Sequence, residues 1–170
     1  MLIESHNRFR GSVISVNVET VRLPNGSQCD LEIVHHPGGA AVLAEDEHQR
    51  FCMLRQFRHA AGGWIWELPA GKLEIDEPPQ ETARRELIEE GGVKARSWRE
   101  LGTVLSSPGV FTEVVHLYHA CDLAPADIAP EPNEVFEVHW LARSRLQAMI
   151  VRGEINDSKT CVAWLRYLLT

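Results

Sequence analysis

One hundred and seventy residues with 24 acidic against 17 basic side chains give a formal charge of −7. That length holds one domain with a substantial core, and the acidic balance offers no electrostatic footing for nucleic-acid phosphates or an anionic membrane surface. Hydrophobic residues at 44% and charged residues at 24% are ordinary for a globular protein, and no apolar run approaches the ~20 residues needed to span a bilayer.

The opening MLIESHNRFR places charges inside its apolar stretch, so it is not expected to act as a signal peptide. From Ser12 to Leu23 the residues Val13, Ile14, Val16, Val18 and Val21 recur among polar ones, which predicts a strand. Pro24-Asn25-Gly26 marks a tight turn and Cys29–His35 returns, so residues 12–35 read as an antiparallel hairpin ended by Pro37-Gly38-Gly39. Ala40–Ala44 and Phe51–Phe57 read as the next strands, around the charged turn Glu45-Asp46-Glu47. A helix follows Pro78-Pro79, with Ala83 and Leu87 on one face. Leu101–Leu105, Val114–Cys121 and Val135–Leu141 are further strands, and the Pro-rich residues 124–133 read as a loop. Arg143–Val151 forms a helix carrying Leu146, Met149 and Ile150. A last helix, capped by Asn156 or Asp157, takes its apolar surface from Val162, Leu165, Tyr167, Leu168 and Leu169. Strands, a helix, strands and two helices make an α+β chain. It is expected to be one domain over residues 1–170, with residues 1–37 as a hairpin region ahead of a core at 38–170. Cys29, Cys52, Cys121 and Cys161 lie far apart with no CxxC pair, which predicts reduced thiols in an intracellular, cytoplasmic protein.

Function is concentrated in Gly71–Val93, GKLEIDEPPQETARRELIEEGGV. On the helix, Glu86, Glu89 and Glu90 are three and four residues apart, so their carboxylates crowd one side. Such repulsion weakens an isolated helix by a few tenths of a kcal/mol per pair. A hard cation reverses its sign, and an all-oxygen cluster suits Mg²⁺ or Mn²⁺ where zinc would want His or Cys. An arbitrary acidic run is usually just a solvated face. Here Gly71, Glu77, Arg85, Glu86, Glu89, Glu90 and Gly92 all fit one spacing, at residue frequencies of roughly 5–7%, so a chance match at a given start is on the order of 10⁻⁹ to 10⁻⁸. The segment resembles the Nudix box, G-x5-E-x7-R-E-U-x-E-E-x-G-U with U aliphatic, at every position.

That resemblance implies an α/β/α sandwich with a mixed sheet and hydrolysis of a nucleoside diphosphate linked to another group. Three features resemble the ADP-ribose pyrophosphatase subgroup: the box is preceded by Glu67-Leu68-Pro69-Ala70-Gly71, Pro108 lies fifteen residues after Val93, and Leu54-Arg55-Gln56-Phe57-Arg58 is similar to VRQYR. By this resemblance Glu86, Glu90 and Glu89 bind Mg²⁺, with Mn²⁺ as the alternative ion, together with the Ala70 carbonyl. Arg85 braces the acids by pairing with Glu89 or Glu81, and Glu77 serves similarly. Arg55, Arg58 and Glu67 are expected at the substrate, since guanidinium groups meet phosphate oxygens with paired donors, and Pro108-Gly109 is expected to shape a pocket wall. The general base is expected from the loop before Phe136: Glu134 first, Glu131 second, and Glu89 of the box third. The favoured reaction splits ADP-ribose into AMP and ribose 5-phosphate. GDP-mannose or ADP-glucose is the alternative substrate, and a non-catalytic nucleotide-sugar-binding regulator a further one. The subgroup also implies a homodimer built with the N-terminal strands. Trp64, Trp66 and Phe111 are more readily core or dimer packing than adenine platforms, and the histidines read as structural or surface groups.

Overall fold

The computed structural model describes residues 1–128 and 133–170. Residues 1–38 with 105–114 form one compact unit, and residues 39–104 with 115–170 form a second.

The first unit is a three-stranded antiparallel sheet of β1 (Leu2–Arg10), β2 (Ser15–Arg22) and β3 (Gln28–His35), in that order. The expected hairpin is β2–β3. Its turn closes through the Leu23 N–H to the Ser27 carbonyl at 2.9 Å, with Gly26 at φ 85°, a left-handed backbone that glycine adopts without a Cβ penalty. Strand β1 was not expected. It is exposed along its whole length, and register breaks between Leu2 and Glu4 and between Asn7 and Phe9 disrupt the two-residue alternation that would have marked it. Residues 105–114 belong to this unit because Val34 of β3 donates to the Val110 carbonyl at 2.7 Å and accepts from Thr112 at 3.0 Å.

In the second unit, β7 (Ala70–Lys72), β4 (Gly39–Ala44), β9 (Val114–Pro125) and β8 (Val93–Leu105) make a mixed sheet in that order, with β4 parallel to β9 and antiparallel to β7. A second sheet runs β10 (Phe136–Ala142), β5 (Arg50–Arg58), β6 (Gly63–Glu67), all antiparallel. Strand β4 is buried throughout, and its alternation sorts the core. Ala41 and Leu43 join Phe51, Met53 and residues of α2 (Arg143–Val151) and α3 (Ser158–Leu168). Ala40, Val42 and Ala44 instead pack towards Ala83 and Leu87 of α1 (Pro79–Glu89). One helix on one face and two on the other give the α/β/α layering. Three strand segments went unread in the sequence: β6, the short β7, and the charged first half of β8, which runs along a sheet edge. Strand β9 also extends into the expected loop as far as Pro125. Among the described residues no helix is long and apolar enough to cross a membrane.

Candidate active site

Helix α1 starts where expected. Pro78 is extended and Pro79 occupies the first turn, where its missing N–H costs nothing. Burying Ala83 and Leu87 forces the neighbouring face inward too, so Glu86 keeps 7% of its exposure and Glu90 none. One glycine makes room for the Glu86 carboxylate and a second ends the helix. A Cβ on Gly71 would sit 1.6 Å from Glu86 Oε1, so glycine lets β7 pass that side chain without displacing it, and Gly92 leaves the helix at φ +65°.

Glu90 accepts the Ala70 N–H at 2.8 Å through Oε2, whereas its Oε1 is buried with no hydrogen-bond partner. Burial pushes the Glu90 carboxyl up to about 8, against the Ala70 hydrogen bond and with further upward pressure from Glu86, Glu134 and Glu67. Burial likewise raises Glu86, opposed by Arg85 and assisted by Glu89 and Glu134. Glu86, Glu90 and Glu134 therefore act on one another here, with Glu67 and Glu89 adding to the pressure, and a buried oxygen lacks its partner. An oxygen-seeking divalent cation answers both features, so the residues present fit such an ion. Among the described residues no three acidic, histidine or cysteine side chains converge as a ready-made ligand set. Backbone oxygen, water and ligand phosphate would complete the coordination, as Mg²⁺ commonly requires.

Arg85 is the brace. Its guanidinium reaches Glu86 at 2.7 Å, Glu89 at 3.1 Å and Glu77 at 3.1 Å, and the hydrogen bond to Glu77, followed by the charge of Glu86, raises its own pKa further. Of its two anticipated partners Glu89 is met, while Glu81 pairs instead with Arg84 at 3.3 Å. Glu77 also accepts the Thr82 hydroxyl at 2.7 Å, and the Arg85 hydrogen bond, ahead of other influences, holds its carboxyl below the ordinary range.

The two arginines of β5 separate. Residues 55 and 58 have opposite parity in a strand of regular register, so they lie on opposite faces. Arg58 shares the α1-facing side with Cys52, donates from Nε to Glu67 Oε1 at 2.7 Å, and feels the charges of Glu90 and Glu134. Arg55 is directed to Glu137 at 3.7 Å and stacks over Trp64 at 5.6 Å. The structure thus brings Arg58 to the carboxylates and does not bring Arg55. Glu134 is partly exposed, near enough for its charge to act on Glu86, Glu90 and Arg58. Glu131 lies outside the described residues. Pro108 and Gly109 belong to the first unit, in a turn where the Ser107 carbonyl accepts from Val110 and Phe111. Trp66 packs against the core, Trp64 meets Phe57 edge-on, and Phe111 lies 5.3 Å from His36.

Sequence reasoning missed the first turn of α3. Glu67 is 1% exposed, and its second oxygen is held by Lys159. Lys159 also reaches Asp157 at 3.0 Å, and Asp157 caps the helix through the Thr160 N–H at 3.1 Å. Thr160 in turn accepts the Leu68 N–H at 3.1 Å. Asp157 was legible as a cap, but a lone lysine and threonine in a helix carry no sequence signal of a partner 92 residues away.

A family profile for the NUDIX domain matches residues 35–164. The chain is 39% identical over 162 residues to a protein of Bacillus subtilis (strain 168) named ADP-ribose pyrophosphatase, covering 94% of this chain and 87% of that one. It is 37% identical over 168 residues to the methanol dehydrogenase activator of Bacillus methanolicus, covering 98% and 90% respectively. A crystal structure titled ADP compounds hydrolase superposes with a TM-score of 0.84 over 99% of this chain and 92% of that one, at 17% identity, and so shares the fold. With the profile spanning most of the chain, the box intact and the sandwich shared, this protein belongs to the NUDIX family.

Proposed function

We propose that the protein is a divalent-metal-dependent hydrolase that splits the diphosphate of ADP-ribose into AMP and ribose 5-phosphate. The observation that carries this reading is the buried, unpartnered Glu90 Oε1 among Glu86, Glu134 and Glu67, a site whose charge calls for a cation and, with it, an anionic ligand. The name of the Bacillus subtilis relative supports the choice of substrate.

Glu86, Glu90 and the Ala70 carbonyl, with Glu89 alongside, would hold Mg²⁺, or Mn²⁺ in its place. When bound, such an ion neutralises charge developing on phosphoryl oxygens and makes a water more acidic. The chain's own residues do the rest. Arg85, bonding both through Nη1, offsets the repulsion between Glu86 and Glu89 and fixes their orientation. Arg58 offers its guanidinium to the diphosphate, held by Glu67. Glu134 takes the proton from the attacking water as its oxygen bonds to phosphorus and the bridging P–O bond breaks, with the electron pair leaving on the departing phosphate. Two further proposals follow the family: a homodimer built with the N-terminal strands, and a cytoplasmic location, which suits four free thiols.

The test is a panel of ADP-ribose, ADP-glucose and GDP-mannose incubated with purified enzyme and Mg²⁺, the products separated by chromatography. AMP and ribose 5-phosphate from ADP-ribose, at the highest kcat/KM of the panel, are expected. Preferred cleavage of GDP-mannose would replace the substrate assignment, and tight binding without cleavage would point to the regulatory alternative.

A further inference from the structure

Arg58 meets Glu67 through Nε, at 2.7 Å. Glu67, its partner, has two buried oxygens, and an unrestrained carboxylate facing a guanidinium tends to take it bidentately, through two parallel hydrogen bonds. Here that is blocked. Oε1 receives Arg58 Nε at 2.7 Å, while Oε2 is occupied by Lys159 from α3. Lys159 is itself fixed: its side chain is 16% exposed, and Asp157 Oδ1 holds it at 3.0 Å. Asp157 cannot drift, because its other oxygen caps α3 through Thr160, whose hydroxyl also accepts the Leu68 N–H beside Glu67. Two cations and two anions thus alternate, sheltered at Lys159, Glu67 and Asp157 and open to solvent at Arg58, and α3 is bolted at two points to the chain that leads from β6 into Ala70.

We propose that Lys159 is a positioning residue for substrate binding: by occupying one oxygen of Glu67 it restricts Arg58 to a single hydrogen bond through Nε and leaves its remaining donors for a phosphate of the nucleoside diphosphate substrate. Lys159 touches neither substrate nor reacting atoms. Without it Glu67 turns wholly to Arg58, neutralises it and draws it back. This inference rests on the hydrolase reading above.

The test is a double-mutant cycle on the full-length enzyme with ADP-ribose and Mg²⁺. Lys159→Met keeps an unbranched side chain of nearly the same length and removes its charge. It is expected to raise KM by about tenfold while kcat stays within about threefold, the split that marks lost ground-state binding. Arg58→Ala should weaken binding by itself, and adding Lys159→Met to it should change KM no further, because the lysine acts through Arg58. Lys159→Arg, which keeps a cation against Glu67, should recover most of the loss. If Lys159→Met does not fold, Lys159→Gln, which keeps neutral donors, is read in the same way. An unchanged KM in the single variant, or the same tenfold rise in the Arg58→Ala background, overturns the proposal. An unaltered enzyme that leaves every nucleotide sugar intact overturns the hydrolase reading, and this inference with it.

Discussion

Replacing Glu90 by glutamine should make the metal-free protein more stable while abolishing its response to metal. In the folded protein burial, with the nearby carboxylates assisting, lifts the Glu90 carboxyl to about 8 from an ordinary 4.5. The folded state therefore keeps a proton that the unfolded chain has released across that interval. The contribution of this group to stability is fully present below about pH 4.5 and is lost as pH rises towards 8. At about 1.4 kcal/mol per pH unit, the loss by pH 7.5 is on the order of 3–5 kcal/mol, shared among carboxylates that titrate together. Glutamine cannot ionise and still accepts the Ala70 N–H, so the slope should largely vanish. A net gain of about 2 kcal/mol at pH 7.5 is expected, raising Tm by roughly 4–8 °C for a chain of this size. Urea unfolding in excess chelator at pH 5, 6.5 and 8, for both proteins, measures this directly. Adding Mg²⁺ should then stabilise the unaltered protein alone. If metal-free stability proves flat from pH 5 to 8, or the variant is the less stable one at pH 7.5, Glu90 is not the strained group described above.

Other substitutions probe the supporting structure. Gly71→Ala drives a methyl group into Glu86, whose Oε1 lies 1.6 Å from that Cβ position, so kcat/KM for ADP-ribose should fall by about 10²-fold while the circular dichroism spectrum is retained. Glu134→Gln should lower kcat by about 10²–10⁴ with little change in KM, as loss of a general base does, and near-normal turnover would retire that assignment. Thr160→Val leaves the buried Leu68 N–H without its acceptor and should cost about 1–3 kcal/mol in urea unfolding.

The parts of this molecule governed by local periodicity were legible in the chain. Helix α2 has the bounds read from Leu146, Met149 and Ile150, and the box helix starts at Pro79 as its proline pair predicts. Box spacing also foretold the pairing of Arg85 with Glu89, because three- and four-residue neighbours meet on any helix. What resisted reading depends on residues remote in sequence. Strand β1 owes its pairing to β2 and hides behind two register breaks, and β7 is three residues whose identity as a strand comes from β4. The separation of Arg55 from Arg58 needed the register of β5, since one position decides the face. Arg85 took Glu77 because the chain ahead of the helix brings that carboxylate to within 3.1 Å of its guanidinium, which spacing along one helix cannot reveal. The clamp of Lys159 and Thr160 on β6 joins residues 92 positions apart.

The central claim, that buried carboxylates of the box hold a divalent cation against a diphosphate, is tested most directly by titrating Mn²⁺ into the protein under electron paramagnetic resonance. The titration is run with and without an ADP-ribose analogue whose bridging oxygen is a methylene. The unaltered protein should bind Mn²⁺, the analogue should tighten that binding, and Glu90→Gln should lose it. Equal Mn²⁺ binding by both proteins, indifferent to the analogue, would contradict the account.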